Sequence, residues 1–308
     1  MIYTVTLNPT LDITLVIDRF SFGEPVQAVD VLRNPGGKGV NVSRVLRALG
    51  EDSVAVALAG GYVGEEVLDL LQQEGLILQV VKIKNPTRTN VVVFAREEDR
   101  EMVIRASGPP IEEDEARRVD DLIAGMTHAP EVMVLSGSLP LGVSKDIYRK
   151  VTTAARGRGT KVFLDSAGEP LRLGIEAGPY LIKPNLRELS GLAGKELAGE
   201  SEIVAYARDI IGAGVEVVVV SMGKLGAIMV TGSDVFRGTV PEVEEDTVGA
   251  GDSMVAGMVL GVARGRNLEE SFCMGLSAAL ATVMNGGPLL ADREYYDLAA
   301  PKVVVERI

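Results

Sequence analysis

The chain has 308 residues and sets 43 acidic against 31 basic side chains, a formal net charge of −12. That balance excludes nucleic acid and anionic membranes as partners of a basic surface, and 46% hydrophobic with 24% charged residues excludes a disordered, collagenous or coiled-coil chain. One cysteine, Cys273, and one histidine, His128, exclude an intramolecular disulfide, an all-cysteine metal site and the HExxH zinc motif.

The opening MIYTVTLNPTLD has no basic region and reaches Asp12 before any long apolar run, so it is not read as a signal peptide, and a cytoplasmic compartment is the simplest expectation. Short apolar, β-branched runs at 2–7, 53–57, 131–135, 161–164, 180–182 and 216–220 read as strands buried on both faces. Helix-period stretches lie between them, such as 38–49 with Val42, Val45, Leu46 and Leu49 on one face, and 64–73 with Val67, Leu68, Leu70 and Leu71. The alternation predicts a mostly parallel sheet with helices on both faces.

Two places break it. Runs 11–20 with 27–33, and 90–96 with 101–105, are strand-like pairs with no helix between them, the second joined by polar Glu97-Glu98-Asp99-Arg100. A small separate sheet is expected from two insertions at about 11–34 and 86–106, covering the open edge of a single 1–308 domain as a lid. Hairpins on the main sheet's edge are the alternative. The exposed face of such a sheet could pair with a second copy, a homodimer. Residues 271–291 carry no charge for 21 positions, but Asn285 and Gly286-Gly287-Pro288 mark a turn, so a buried helix and no membrane span are expected.

Two glycine turns open into helices. Asp246-Thr247-Val248-Gly249-Ala250-Gly251-Asp252-Ser253 precedes the apolar MVAGMVLGVAR; unpaired N–H groups and the positive helix end converge where an anion can sit, beside the carboxylate of Asp252. Phosphoryl transfer to an alcohol needs that pair: amides for the phosphate, a base for the hydroxyl proton. A first-turn acid on an ordinary helix is the competing reading. Met254 stands where a GxGxxG fingerprint needs glycine, and no GxxxxGK[ST] loop occurs. In Asn34-Pro35-Gly36-Gly37-Lys38-Gly39-Val40-Asn41, Lys38 and Asn41 share a helix face away from the apolar stripe, suiting a polyhydroxy or phosphorylated ligand.

These two segments together resemble the signatures of the ribokinase/PfkB carbohydrate kinase family, and the likeness runs along the chain. Further matches are Thr6-Leu7-Asn8-Pro9-Thr10-Leu11-Asp12, Ser136-Gly137-Ser138-Leu139-Pro140, Asp165-Ser166 and Lys183-Pro184-Asn185-Leu186-Arg187-Glu188. The resemblance implies a three-layer α/β/α ribokinase-like fold with a mostly parallel sheet and a small β-sheet lid, using ATP and Mg²⁺. It implies Asp252 as catalytic base, with Gly249, Ala250 and Gly251 as the anion hole. Acceptor contacts would come from Asp12, Gly37, Lys38 and Asn41. Lys183, Asn185, Ser221, Gly223, Gly226 and Asn285 would face the nucleotide, and Glu188 the metal.

Thr87-Arg88-Thr89-Asn90 is similar to the TRxN of kinases acting on sugar phosphates, and TLNPTLD resembles the 1-phosphofructokinase and tagatose-6-phosphate kinase branch. Lys38, Arg88 and Ser138, with Arg105 at the far end of the hairpin, could hold a substrate phosphate. The expected reaction is ATP-dependent phosphorylation of a ketohexose phosphate. Leu141 replaces a frequent second proline, and no lysine lies in Gly23-Glu24-Pro25-Val26-Gln27, where the 6-phosphofructokinase branch commonly has one. A pentose 1-phosphate, a free sugar or nucleoside, and a non-catalytic sugar-phosphate sensor stay open as alternatives. His128 and Cys273 are read as structural, and the acidic run 112–115 as a solvated helix start.

Overall fold

A computed structural model describes residues 1–124, 129–241, 248–286 and 289–308. Its elements begin with strands β1 (Ile2–Thr6), β2 (Thr10–Ile17) and β3 (Asp30–Gly36), helix α1 (Lys38–Ala48), β4 (Ser53–Ala59), α2 (Gly61–Gln73), β5 (Ile77–Lys82), β6 (Arg88–Ala95) and β7 (Arg100–Ile104). They continue with α3 (Glu113–Ala124), β8 (Val132–Ser136), α4 (Ile147–Arg156), β9 (Lys161–Asp165), α5 (Gly168–Ile175), β10 (Leu181–Ile182), α6 (Leu186–Ala193) and α7 (Glu200–Gly212). The last are β11 (Val217–Ser221), β12 (Ala227–Thr231), β13 (Val235–Thr239), α8 (Ala250–Ala263), α9 (Leu268–Asn285), α10 (Arg293–Ala299) and β14 (Val304–Arg307).

Among the described residues a ten-stranded sheet runs β14-β13-β12-β11-β10-β9-β8-β1-β4-β5. From β11 to β5 neighbours are parallel, whereas β12, β13 and β14 extend it antiparallel. The period-two side-chain alternation of strands divides each run between two cores. Met133, Leu135, Val218 and Val220 face one layer with α4, α5 and α7. Val132, Val134, Val217 and Val219 face the other with α1, α8 and α9. Strands covered on both faces need apolar residues at every position, which is why these runs do not alternate with polar ones and why the fold is three-layered.

A second, four-stranded sheet has the order β3-β2-β6-β7. Its central pair β2 and β6 is parallel and the outer pairs antiparallel. The run expected over 11–20 stops at Ile17 and that over 27–33 starts at Asp30, with no regular structure between. The polar connection 97–100 does close a β6–β7 hairpin, with Asp99 in the left-handed region at φ 49°. Sequence alternation passed over β5, β12, β13 and β14, short strands at the two ends of the main sheet.

Two structural readings need correction. Glu115 in the acidic run is 3% exposed, because its carboxylate accepts from the backbone N–H groups of Lys84 (2.7 Å) and Glu112 (2.9 Å) and so ties α3 to the connection before β6. Cys273 is half-buried rather than packed in the core. The uncharged run forms α9 as expected, and among the described residues no helix is long and apolar enough to cross a membrane. His128, the acidic stretch Glu242, Glu244, Glu245 and Asp246 that leads into the second glycine turn and reads in the sequence as a solvated strand, Thr247, Gly287 and Pro288 lie outside the described residues.

Candidate active site

In a mostly parallel sheet, ligands bind beyond the carboxyl ends of the strands, where the connections can vary without disturbing the core. Here those ends supply Asn8 after β1, Ser138 after β8, Asp165 closing β9, Lys183 after β10 and Ser221 closing β11. Helices α1 and α8 both start on this side. Each has a glycine cap in a conformation closed to other residues, Gly37 at φ 120° and Gly249 at φ 97°, and neither has a side-chain cap. The first amides of α8, on Ala250, Gly251 and Asp252, therefore remain free to receive an anion.

Asp252 is 7% exposed and accepts a 2.7 Å hydrogen bond from Asn41 Nδ2. Burial pushes its carboxyl up to about 6, against the opposing pull of the Lys38 ammonium, while Asp165 adds to the rise. Lys38 donates to Asp165 Oδ1 at 3.0 Å. Burial alone would lower the Lys38 ammonium, but the carboxylates of Asp165 and Asp252 outweigh it and hold the group above its ordinary value. Lys183, 5% exposed, lies 3.7 Å from Asp165 Oδ2, an ion-pair distance too long for a hydrogen bond, so that buried oxygen has no hydrogen-bond partner. A Cβ built at Gly251 would come within 3.2 Å of Lys183 Nζ, which puts this ammonium beside the free amides of α8. Two lysines and two aspartates thus converge on one helix start.

The other wall comes from the small sheet. Parallel register pairs Thr10 with Arg88 and Asp12 with Asn90, so these four side chains share a face. Asn90 Nδ2 donates to Asp12 Oδ1 at 2.8 Å, and Asn90 Oδ1 accepts from the Ala106 N–H at 3.1 Å. Burial raises the Asp12 carboxyl, opposed by Asn90 and Thr10 and by the charges of Arg88 and Arg105. Arg88 is largely engaged by backbone: it donates to the carbonyls of Asn8 (3.0 Å), Ala106 (3.1 Å) and Pro9 (3.4 Å). A guanidinium has five N–H donors, so two remain for a ligand. Arg105 is exposed on the same side. Asn8 Nδ2 donates to Ser138 Oγ at 3.0 Å while its backbone carbonyl accepts from Arg88, so Asn8 links the two walls.

A cavity of about 170 Å³ adjoins the start of α8, lined by Ser221, Gly223, Gly226, Ala250, Gly251 and the apolar group Val240, Met254, Leu276, Ala279, Leu280 and Val283. Its apolar wall suits a planar heterocycle and its glycine rim the attached phosphates. Asn185 and Asn285 do not line it. Asn185 forms a capping box with Glu188: Glu188 N–H donates to Asn185 Oδ1 at 2.8 Å and Asn185 N–H to Glu188 Oε2 at 2.9 Å. Asn285 Nδ2 donates to the Leu290 carbonyl at 2.8 Å at the end of α9.

Sequence reasoning thus assembled Asp12, Lys38, Asn41, Arg88 and Asp252, and the cavity collected Ser221, Gly223 and Gly226. It passed over Asn8, Asn90 and Asp165. Each lay inside a quoted motif, but what each does depends on a partner 78 to 130 residues away. The apolar cavity lining carried no motif at all.

A three-layer α/β/α core with a separate small sheet, a buried carboxylate and free amides at one helix start define a ribokinase-like kinase. The profile of the pfkB family of carbohydrate kinases matches residues 5–292, and the chain belongs to that family. It is 35% identical over 288 residues to a 1-phosphofructokinase of Borreliella burgdorferi, covering 93% of this chain and 92% of the relative. It is 34% identical over 305 residues to an ATP-dependent 6-phosphofructokinase isozyme 2 of Mycobacterium tuberculosis, covering 97% and 90%. Phosphofructokinase-2 of Escherichia coli, solved with fructose-6-phosphate, superposes with a TM-score of 0.91 at 31% identity, covering 97% and 98% of the two chains.

Proposed function

We propose that this chain transfers the γ-phosphoryl group of ATP to a hydroxyl of a ketohexose phosphate, with fructose 1-phosphate as the leading acceptor and fructose 6-phosphate or tagatose 6-phosphate next. The observation that carries the reading is the wall built from β2 and β6. A carboxylate for sugar hydroxyls, Asp12, is flanked by Arg88 and Arg105, with Lys38 and Ser138 on the main-sheet side. That is more cationic donor capacity than an unphosphorylated sugar needs, because a phosphate is the ligand that rewards several charged donors. The 1-phosphofructokinase relative supports the choice of isomer.

In this reading Asp12 and Asn41 orient the acceptor, assisted by the bare backbone of Gly37. Asp252 takes the hydroxyl proton as the oxygen attacks the γ-phosphorus and the β,γ-bridging bond breaks toward ADP. The amides of Ala250 and Gly251, at the turn made by Gly249, stabilise charge on the transferring group, and Lys183 adds an ammonium beside them. The adenine lies in the apolar cavity, over Ser221, Gly223 and Gly226.

The donor set fits a hard divalent cation such as Mg²⁺, which binds through one or two carboxylates, water and substrate phosphates. Glu188 retains Oε1 beyond its capping bond, and Asp165 Oδ2 is buried without a hydrogen-bond partner; among the described residues no group of three or more acids or imidazoles forms a cage. Glu188 would hold the ion, which would neutralise phosphate charge. Edge strands β3 and β7 expose Val31, Met102, Val103 and Ile104, and we read the small sheet as the surface through which a homodimer forms.

The test is a panel of fructose 1-phosphate, fructose 6-phosphate, tagatose 6-phosphate, ribose 1-phosphate, fructose and ribose, each with ATP and with ADP. The expected result is the highest kcat/KM for a ketohexose phosphate with ATP. Equal or better turnover of a free sugar would overturn the acceptor assignment, and binding of a sugar phosphate without turnover of any would point to a sensor.

A further inference from the structure

The hydrogen bonds of Asn90 single it out within the acceptor wall. Both ends of its amide are matched: the NH₂ group donates to the Asp12 carboxylate, and the carbonyl oxygen accepts from the Ala106 N–H. A reversed amide would face oxygen with oxygen and N–H with N–H, so the orientation follows from the partners. The carbonyl of the same residue, Ala106, accepts from Arg88 Nη1. The backbone of Ala106 is therefore gripped on one side by Asn90 and on the other by Arg88, both on β6 and two residues apart. Arg105 immediately precedes it, and the β6–β7 register of Val91 with Ile104 continues to bring Arg105 beside Asn90.

We propose that Asn90 is the positioning residue of the acceptor site, aiming the Asp12 carboxylate and fixing the segment that carries Arg105, so that hydroxyl and phosphate recognition form one hydrogen-bonded unit. The inference deepens the sugar-phosphate reading above and rests on it. Asp12 sits in a partly desolvated position on β2. A neutral amide donor fixes it without neutralising its charge, leaving its other lone pairs for sugar hydroxyls. Arg88 and Arg105 are the charged groups that act on Asp12, with the Thr10 hydroxyl as the nearby neutral partner. Both cations favour a free carboxylate by charge, and neither hydrogen-bonds it as Asn90 does.

Two substitutions separate this role from simple support of the fold. Asn90→Ala removes both hydrogen bonds. Asn90→Asp is isosteric, keeps an acceptor for the Ala106 N–H, and replaces the donor to Asp12 with a second carboxylate. Two carboxylates so placed share one proton as the pH falls, and the protonated partner is again a donor to the other. The measurement is KM for the preferred sugar phosphate and for ATP in wild type and both variants, between pH 8 and pH 5.5, with thermal melts as a check on folding.

In Asn90→Ala, KM for the sugar phosphate should rise about tenfold or more, as expected for a lost hydrogen bond to a charged group, with KM for ATP unchanged. In Asn90→Asp, the ratio of its sugar-phosphate KM to that of wild type at the same pH should be largest at pH 8 and shrink toward one at pH 5.5. A sugar-phosphate KM equal to wild type in Asn90→Ala, or a ratio flat with pH in Asn90→Asp, would overturn the proposal while leaving the functional reading intact. A wild-type chain that turns over none of the sugar phosphates would instead remove the functional reading, and this proposal with it.

Discussion

Replacing Asp252 with Asn should cost activity and gain stability, with opposite dependence on pH from what a surface carboxylate would give. Burial pushes the Asp252 carboxyl up to about 6, against about 3.9 in an unfolded chain. Between these values the folded state holds the proton more tightly than the unfolded state, so ionising Asp252 disfavours folding. The penalty is absent below about pH 4, grows as the pH rises, and is complete above about pH 6; two pKa units correspond to about 3 kcal/mol. Asn at 252 carries no such penalty and can still accept from Asn41 Nδ2, the bond now made at 2.7 Å. Asp252→Asn should therefore be more stable than wild type at pH 8 by an amount on the order of 3 kcal/mol, and no more stable at pH 4. The same carboxylate is about 90% ionised at pH 7 and about 10% at pH 5, so wild-type kcat/KM should fall roughly tenfold over that interval. The variant should lose about 10²-fold or more of kcat. Parallel activity profiles and thermal melts at both pH values check this. Turnover of the variant within tenfold of wild type would remove Asp252 as the base, and a stability difference that does not grow between pH 4 and pH 8 would show that its carboxylate is not desolvated in the fold.

Lys38→Met removes the cation that most strongly favours ionised Asp252, so the acid limb of kcat/KM should move to higher pH, and KM for the sugar phosphate should rise about 10- to 100-fold; an unmoved limb would place Lys38 outside the site. Arg88→Ala should raise the same KM and also lower stability by about 1–3 kcal/mol, because the carbonyls of Asn8 and Ala106 lose their donor; a rise in KM with unchanged melting would show that those backbone bonds contribute nothing. Ala279→Phe projects a ring into the cavity of about 170 Å³ and should raise KM for ATP by about tenfold or more while sparing KM for the acceptor. Equal effects on both substrates would move the nucleotide elsewhere.

The extent to which the sequence foreshadowed this site follows from the range over which each interaction acts. Helix starts are local events: Gly37 and Gly249 precede apolar helices by one residue, so both anion-receptive turns could be read directly. The doubly covered strands were equally plain, since Val132 to Leu135 and Val217 to Val220 are apolar at every position. The antiparallel end of the main sheet was not, because β12, β13 and β14 are short, β12 and β13 follow β11 without crossover helices, and β14 contains the exposed charges of Glu306 and Arg307. In the site, the residues that touch substrate in the proposed reading stood out by type and motif. Those that aim them did not. Asn90 is one more polar residue on a strand until register sets it beside Asp12, and Asp165 closes an apolar strand until the fold brings Lys38 and Lys183 to it. Asn185 and Glu188 show the reverse case, a motif whose visible work in the structure is to cap a helix.

The charge arrangement also explains how a chain of net charge −12 could receive two anionic substrates. A long-range attractive field is absent, so local donors must compensate for desolvating each phosphate. Yet the lysines at the centre are not free: Lys38 is bonded to Asp165, and Lys183 shares that carboxylate. Lys38 and Lys183 face the carboxylates of Asp165 and Asp252, so the cluster is close to neutral with both cations paired and in place before a substrate arrives, and the free amides of α8 supply the positive end beside them. Arg88 is held the same way by carbonyl oxygens, which fix its position without cancelling its charge. A cation fixed in advance loses less side-chain freedom when a phosphate binds, so more of the interaction appears as affinity and orientation. Preorganisation of this kind requires polar partners shielded from water: Asp165 and Asn8 are buried and Asn90 partly so, and in the proposed reading they hold the groups that meet the acceptor.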